Sequence, residues 1–134
     1  MFASISLLLL PLLAPQGAIG SISGQSPNDW FGEFVSAGPD INGDGIQEIL
    51  VGAPHVQNSS GQEAGAIYVV DGASGPAFQI LRTHLDPVTQ WRSQVSSAGD
   101  TNGDGVGDYL CSSSNNGLGR VTLFDGATGG MRYY

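Results

Sequence analysis
One nine-residue pattern occurs twice in this chain. Asp40-Ile-Asn-Gly-Asp-Gly-Ile-Gln-Glu48 returns 60 residues later as Asp100-Thr-Asn-Gly-Asp-Gly-Val-Gly-Asp108. A period of that size marks one supersecondary unit used more than once, and such units stack to bury faces that a single copy leaves open. The fold must therefore place two copies of the same loop at equivalent corners.

Within each loop Asp, Asn and Asp stand at positions 1, 3 and 5, as Asp40, Asn42 and Asp44 and then Asp100, Asn102 and Asp104. In a tightly curled loop every second side chain turns inward. All of these offer oxygen, the donor a hard cation such as Ca²⁺ selects. The glycine at position 6, Gly45 or Gly105, permits the left-handed backbone of a sharp turn. Ile46 and Val106 at position 7 have only a backbone carbonyl to give, and Glu48 and Asp108 at position 9 each add a carboxylate. The sum is about six or seven oxygens per loop, the number Ca²⁺ takes. The predicted cofactor is Ca²⁺, in two structural sites. The loops are not EF-hands, because position 12 is Val51 or Cys111 instead of Glu, and strand-like residues follow. A single D-x-N-x-D-G string also fits a plain Asx turn without metal. Two copies filled at five positions weigh against that alternative.

The charge balance agrees. Of 12 acidic residues six lie in the two loops, there is no Lys, and the formal net charge is −8. That excludes a nucleic-acid or anionic-membrane partner, which calls for basic clusters. Without metal, three clustered carboxylates repel, so the empty loops should be loose. Cys111 is the one cysteine, so no internal disulfide exists, and its place in a strand makes it a small buried hydrophobe. Weak Ca²⁺ modules suit extracellular calcium levels, which points to a secreted or cell-surface location.

Residues 1–17 contain the apolar run Ile5–Leu13, too short to span a bilayer. They read as a secretory signal or as a start chosen inside a longer reading frame. Strand candidates follow near 33–37, 48–52, 65–70 and 78–82, then near 93–98, 108–112, 119–124 and 131–134. Ile49-Leu50-Val51 is apolar without alternation, as in a strand buried on both faces. Residues 18–24 match 78–83 after the same shift and read as the outer strand of a preceding blade. Four antiparallel strands per period make a propeller blade. Residues 25–85 are the first blade and 86–134 the second, ending inside its outer strand. Between strands, Asn58-Ser59-Ser60 fits a glycosylation acceptor in a eukaryotic secretory pathway, and otherwise marks a surface loop.

Phe31-Gly32, Asp40-x-Asn-x-Asp-Gly, Val51-Gly-Ala-Pro54 and Gly65-x-Ile-Tyr-Val-Val resemble one complete FG-GAP repeat of integrin alpha-subunit type. The second unit is similar but degenerate, with Trp91-Arg92 for Phe-Gly and Cys111-Ser-Ser-Ser114 for Val-Gly-Ala-Pro. The resemblance implies an all-β fold, with two four-stranded antiparallel blades of an incomplete, integrin alpha-like β-propeller. It also implies Ca²⁺ in the loop between the first two strands of each blade. The implied ligands are Asp40, Asn42, Asp44, the Ile46 carbonyl and Glu48, then Asp100, Asn102, Asp104, the Val106 carbonyl and Asp108. The family usually has Asp at position 9, so Glu48 implies a shifted or weaker first site. Two blades do not close a ring, which implies further blades or other copies as partners.

No catalytic constellation is apparent. His55 and His84 read as surface loop residues, and neither a G-x-S-x-G elbow nor a phosphate loop is present. Trp30, Phe31 and Trp91 are inter-blade core or a binding platform. The first functional expectation is a non-enzymatic extracellular adhesion module that binds a protein or glycan, with structural calcium and no membrane span. The alternative is an accessory propeller region of a secreted, phospholipase-like hydrolase whose catalytic domain lies outside this chain. A dockerin-like calcium module would need helices after the loops.

Overall fold
Short runs of β-branched and aromatic residues, separated by glycine-rich turns, give eight strands and no helix among the described residues. The computed structural model describes residues 20–73, 78–85, 94–115 and 118–132. The strands are β1 (Phe34–Ala37), β2 (Ile49–Ala53), β3 (Ala66–Val70), β4 (Ile80–Leu85), β5 (Val95–Gly99), β6 (Asp108–Asn115), β7 (Leu118–Phe124) and β8 (Met131–Arg132). They form two four-stranded sheets in sequence order, β1-β2-β3-β4 and β5-β6-β7-β8, with every neighbouring pair antiparallel. These are the two expected blades. No described helix is long and apolar enough to cross a membrane.

Register follows from the buried pattern. All five residues of β3 are buried, because this strand has a packed layer on each face. Its Ile67 and Val69, with Leu50 of β2, face the second sheet and meet Val95, Tyr109, Cys111 and Phe124 there. The opposite face collects Val51, Ala53, Ala66, Tyr68 and Val70, against which Ile22, Phe31, Val56 and Phe78 pack. A one-residue slip would exchange these two sets, so the register is strongly specified. The outer strand β4 alternates between half-buried and exposed residues, as an edge strand with one solvated face should.

Residues 20–24, the described part of the segment 18–24 read as the outer strand of a preceding blade, pair with neither of these two sheets, and Ile22 packs on the first sheet. Two expectations change. His84 is not in a loop. It sits in β4 between the sheets, its ring 4.3 Å from that of Phe124 and its Nε2 2.6 Å from the Tyr109 hydroxyl. The aromatic cluster divides: Phe31 is core, 5.2 Å from the Tyr68 ring, whereas Trp30 is 55% exposed. The leader-like residues 1–17, Trp91, Arg92 and the last two residues lie outside the described residues.

Candidate metal centres
Both nine-residue loops close the same end of their sheets, between the first two strands. Their shape comes from glycine. Positions 4 and 6 take left-handed φ in both copies, 78° at Gly43 and 86° at Gly45, then 77° at Gly103 and 89° at Gly105. Position 4 was not singled out from sequence, although it recurs. At the neck, Gly38 N–H donates to the Glu48 carbonyl at 2.7 Å, so the loop springs from the β1–β2 ladder.

Position 1 organises the loop. Asp40 accepts from the N–H groups of Gly43 at 2.7 Å, Asp44 at 3.2 Å and Gly45 at 2.8 Å. Asp100 repeats this with Gly103 at 2.7 Å, Asp104 at 3.3 Å and Gly105 at 2.9 Å. These bonds, led by the position-6 glycine, hold both carboxyls below the usual carboxylate range. Positions 3 and 5 face each other. The Asn42 amide lies 2.9 Å from Asp44 Oδ2, and that of Asn102 2.7 Å from Asp104 Oδ2. The side chains of positions 3 and 5 are exposed in both loops, and that of position 1 is half-buried in the first and exposed in the second.

Position 9 behaves differently. Glu48 is 1% exposed, accepting from Ile41 N–H at 3.2 Å and from Gly72 N–H at 3.1 Å. Asp108 is fully buried and accepts from Thr101 N–H at 2.9 Å, from the Thr101 hydroxyl and from Gly126 N–H at 2.9 Å. Burial pushes the Asp108 carboxyl up, but these donors and Arg132 outweigh it and leave it lowered. Each position-9 carboxylate therefore ties its loop to the Asp-Gly turn after the third strand of the blade. A side chain at Gly72 would overlap the Gln47 carbonyl, and one at Gly126 the Gly107 carbonyl, so both turns require glycine. The recurring Asp-Gly was visible in sequence. Its contact with the loop was not, because it bridges 24 residues in one copy and 18 in the other.

The second loop has one more tie. Asp125 accepts from Asn102 Nδ2 at 3.0 Å and from Arg132 at 2.5 Å. The Thr128 N–H, then its hydroxyl and Arg132, bring the Asp125 carboxyl down to about 2. The same turn is clamped to the first sheet by Arg82, which donates to the carbonyls of Gly126 at 2.5 Å and Ala127 at 2.8 Å.

The donor chemistry fits a hard cation, since positions 1, 3, 5 and 9 all present oxygen and each carboxylate oxygen has a second lone pair. Among the described residues no three His, Cys, Asp or Glu side chains converge closely enough to hold a metal by themselves. A shell at either loop has to draw on Asn42 or Asn102 and on backbone carbonyls.

Residues 31–70 match the FG-GAP repeat family, spanning β1 to β3 and the whole first loop. The chain carries an FG-GAP repeat. It is also similar to integrin alpha subunits. Integrin alpha-3 of Mus musculus is 32% identical over 82% of this chain and 11% of its own length. Integrin alpha-PS5 of Drosophila melanogaster is 33% identical over 81% and 11% respectively. Integrin alpha-IIb of Homo sapiens is 30% identical over 83% and 12%. The chain spans about a tenth of the length of these curated relatives. The similarity therefore extends beyond the single FG-GAP match, in keeping with two equivalent blades.

The other end of the first blade is built from different material. There the β2–β3 loop and residues 25–29 enclose a cavity of about 410 Å³, lined in part by Asp29, His55, Glu63 and Tyr68. His55 pairs with Glu63 at 3.1 Å and stacks edgewise on the exposed Trp30 at 4.3 Å.

Proposed function
We propose that this chain is a calcium-rigidified segment of an extracellular β-propeller that binds a protein or glycan and carries out no catalysis. The observation that supports the reading is the duplicated loop, whose Asp, Asn and Asp side chains recur with the same hydrogen bonds at equivalent corners of two blades. Asp40, Asn42, Asp44, the Ile46 carbonyl and Glu48 would hold one ion. Asp100, Asn102, Asp104, the Val106 carbonyl and Asp108 would hold the other. Bound calcium would supply positive charge to clusters that otherwise repel. The protein's own part is to orient them: glycine backbones curl the loop, position 1 gathers its N–H groups, and position 9 fixes it to the neighbouring turn. The similarity to integrin alpha subunits supports a cell-surface setting. A partner would meet the end away from the acidic loops, where Trp30 is exposed beside the cavity.

Thermal melting in EDTA and in rising Ca²⁺ tests the reading, with Mg²⁺ as the control. Affinity near that of extracellular modules would be about 10⁻⁴–10⁻³ M. At a hundredfold excess over Kd each site adds about 2.7 kcal/mol, so the melting temperature should rise clearly. The variant Asp40→Asn with Asp100→Asn should abolish the rise. An identical melting curve with and without Ca²⁺ would overturn the calcium reading.

A further inference from the structure
The sequence Asn58-Ser59-Ser60 is the one Asn-x-Ser/Thr acceptor in the 134 residues. It occupies the tip of the β2–β3 loop. Gln57 and Glu63 pair as an isolated antiparallel bridge, and the chain reverses between them. Asn58 N–H donates to the Gln62 carbonyl at 2.8 Å, and Gly61 N–H, at φ 74°, donates to the Asn58 carbonyl at 2.9 Å. Ser59, Ser60 and Gly61 are exposed. The Asn58 side chain uses one of its two ends. Its Oδ1 accepts from Ser60 N–H at 2.9 Å and from Gln62 N–H at 3.1 Å. Its Nδ2 makes no hydrogen bond among the described residues.

We infer that Asn58 is a site of N-linked glycosylation. The fold spends the carbonyl end of the amide and leaves the nitrogen end, so an N-glycosidic bond at Nδ2 preserves both hydrogen bonds to Oδ1. In the transfer, Nδ2 attacks the anomeric carbon of an oligosaccharide carried on a polyprenyl pyrophosphate. The carbon–oxygen bond to the pyrophosphate breaks, the lipid pyrophosphate leaves and one amide proton is lost. Nothing is oxidised or reduced. The oligosaccharide would project from the loop tip into solvent, as glycans on Asn-x-Ser/Thr loops do. Gln57 and Glu63, either side of the tip, also line the 410 Å³ cavity, so the glycan would stand beside the end of the blade that lacks the acidic loops.

Occupancy in the native cell rests on the extracellular reading above, so the test supplies the route independently. The full chain is placed behind a cleavable secretory leader, carries a reporter acceptor sequon in a C-terminal tag, and is translated with eukaryotic microsomes. Only molecules glycosylated at the reporter are scored, which restricts the measurement to translocated protein. One further glycosidase-sensitive gel shift is expected, with glycosidase converting Asn58 to Asp in the peptide mass spectrum. Ser60→Ala keeps the residue-60 N–H that Oδ1 accepts but destroys the acceptor, and should lose the shift together with Asn58→Gln. Reporter-positive protein with an unmodified Asn58 peptide would overturn the inference, whatever the calcium titration shows.

Discussion

The two blades share a ladder but not a solution to packing it. In the first, β1 and β2 oppose Phe34 to Gly52, and a methyl at Gly52 would come within 3.3 Å of the Phe34 side chain. A large residue is accommodated by an absent one. In the second, Gln94 and Ser112 hold the equivalent places, joined by a backbone hydrogen bond at 3.1 Å. What reads as degeneracy in the second copy is thus a paired change, the large–small pair replaced by two middling residues. The faces differ too. The first sheet is covered on both sides. The second turns Tyr109, Cys111 and Phe124 toward its neighbour, and Val121, at 67% exposure, away from it. Repetition therefore fixes backbone and loops, while side-chain identity adapts to what each face meets.

The sharpest contrast lies between the two faces of β7. Phe124 is fully buried, stacks on Tyr109 at 5.4 Å and meets the tilted His84 ring at 4.3 Å. Phe124→Ala should cost about 3–5 kcal/mol. Val121→Ser, three residues away on the other face, should stay within about 0.5 kcal/mol. Denaturant midpoints measure both. Equal losses would mean that the second sheet is covered on both faces in solution, and the contrast would fail.

A second comparison sets Glu48 against Asp108. Both are buried acceptors at position 9, but Asp108 also takes the Thr101 hydroxyl, where Ile41 offers only its N–H. Asp108→Asn should therefore cost more than Glu48→Gln, each within about 1–3 kcal/mol, because an amide puts a donor against donors already in place. Chemical denaturation in EDTA isolates this structural role from any metal. Equal costs would remove the distinction between the two loops.

Much of this was legible in the residues. The period, the four strands per unit and the loop corners follow from the paired D-x-N-G-D-G strings and from Gly/Pro punctuation, which are local signals. Cys111 as buried filler was equally readable. What escaped was contact between distant segments. The Gly72 and Gly126 turns that receive position 9, the Arg82 clamp, and His84 at the seam between sheets all depend on register across the fold. A histidine in Leu-Arg-Thr-His-Leu carries no local mark that its ring will lie on an aromatic of the next repeat.

That histidine supplies a third test, of the seam itself. Burial first, and then the nearby Arg82 charge, bring His84 down to about 4 from its ordinary 6.5. Its described surroundings are Arg82 on its own strand, the Tyr109 hydroxyl on β6 and Phe124 on β7. A histidine lowered in the fold stays neutral there while the unfolded chain takes up a proton. Its contribution is therefore complete above pH 6.5, is lost as pH falls toward about 4, and is flat below. Since the ring is partly open to solvent, the loss should be about 1–2 kcal/mol, less than the full shift implies. Stability measured between pH 7 and 4 should decline in the parent and flatten in His84→Phe. A decline that survives in His84→Phe would place the titrating group elsewhere.

The smallest expected effect has the opposite sign and bears most directly on how the two copies diverged. Ser113 corresponds to Ala53 of the Val-Gly-Ala-Pro run, and both are buried. The Ser113 hydroxyl is the one buried side-chain oxygen without a hydrogen-bond partner among the described residues. A buried hydroxyl left unmade carries a desolvation cost that a methyl does not. Ser113→Ala, which restores the first copy's residue, should therefore stabilise the chain by about 1 kcal/mol, read as a higher denaturant midpoint at unchanged slope. The reciprocal Ala53→Ser should destabilise, because that site is fully enclosed with no exposed surface. Were Ser113→Ala neutral or destabilising, the hydroxyl would have a partner in solution, and Cys111-Ser-Ser-Ser would be an adapted sequence instead of a tolerated loss.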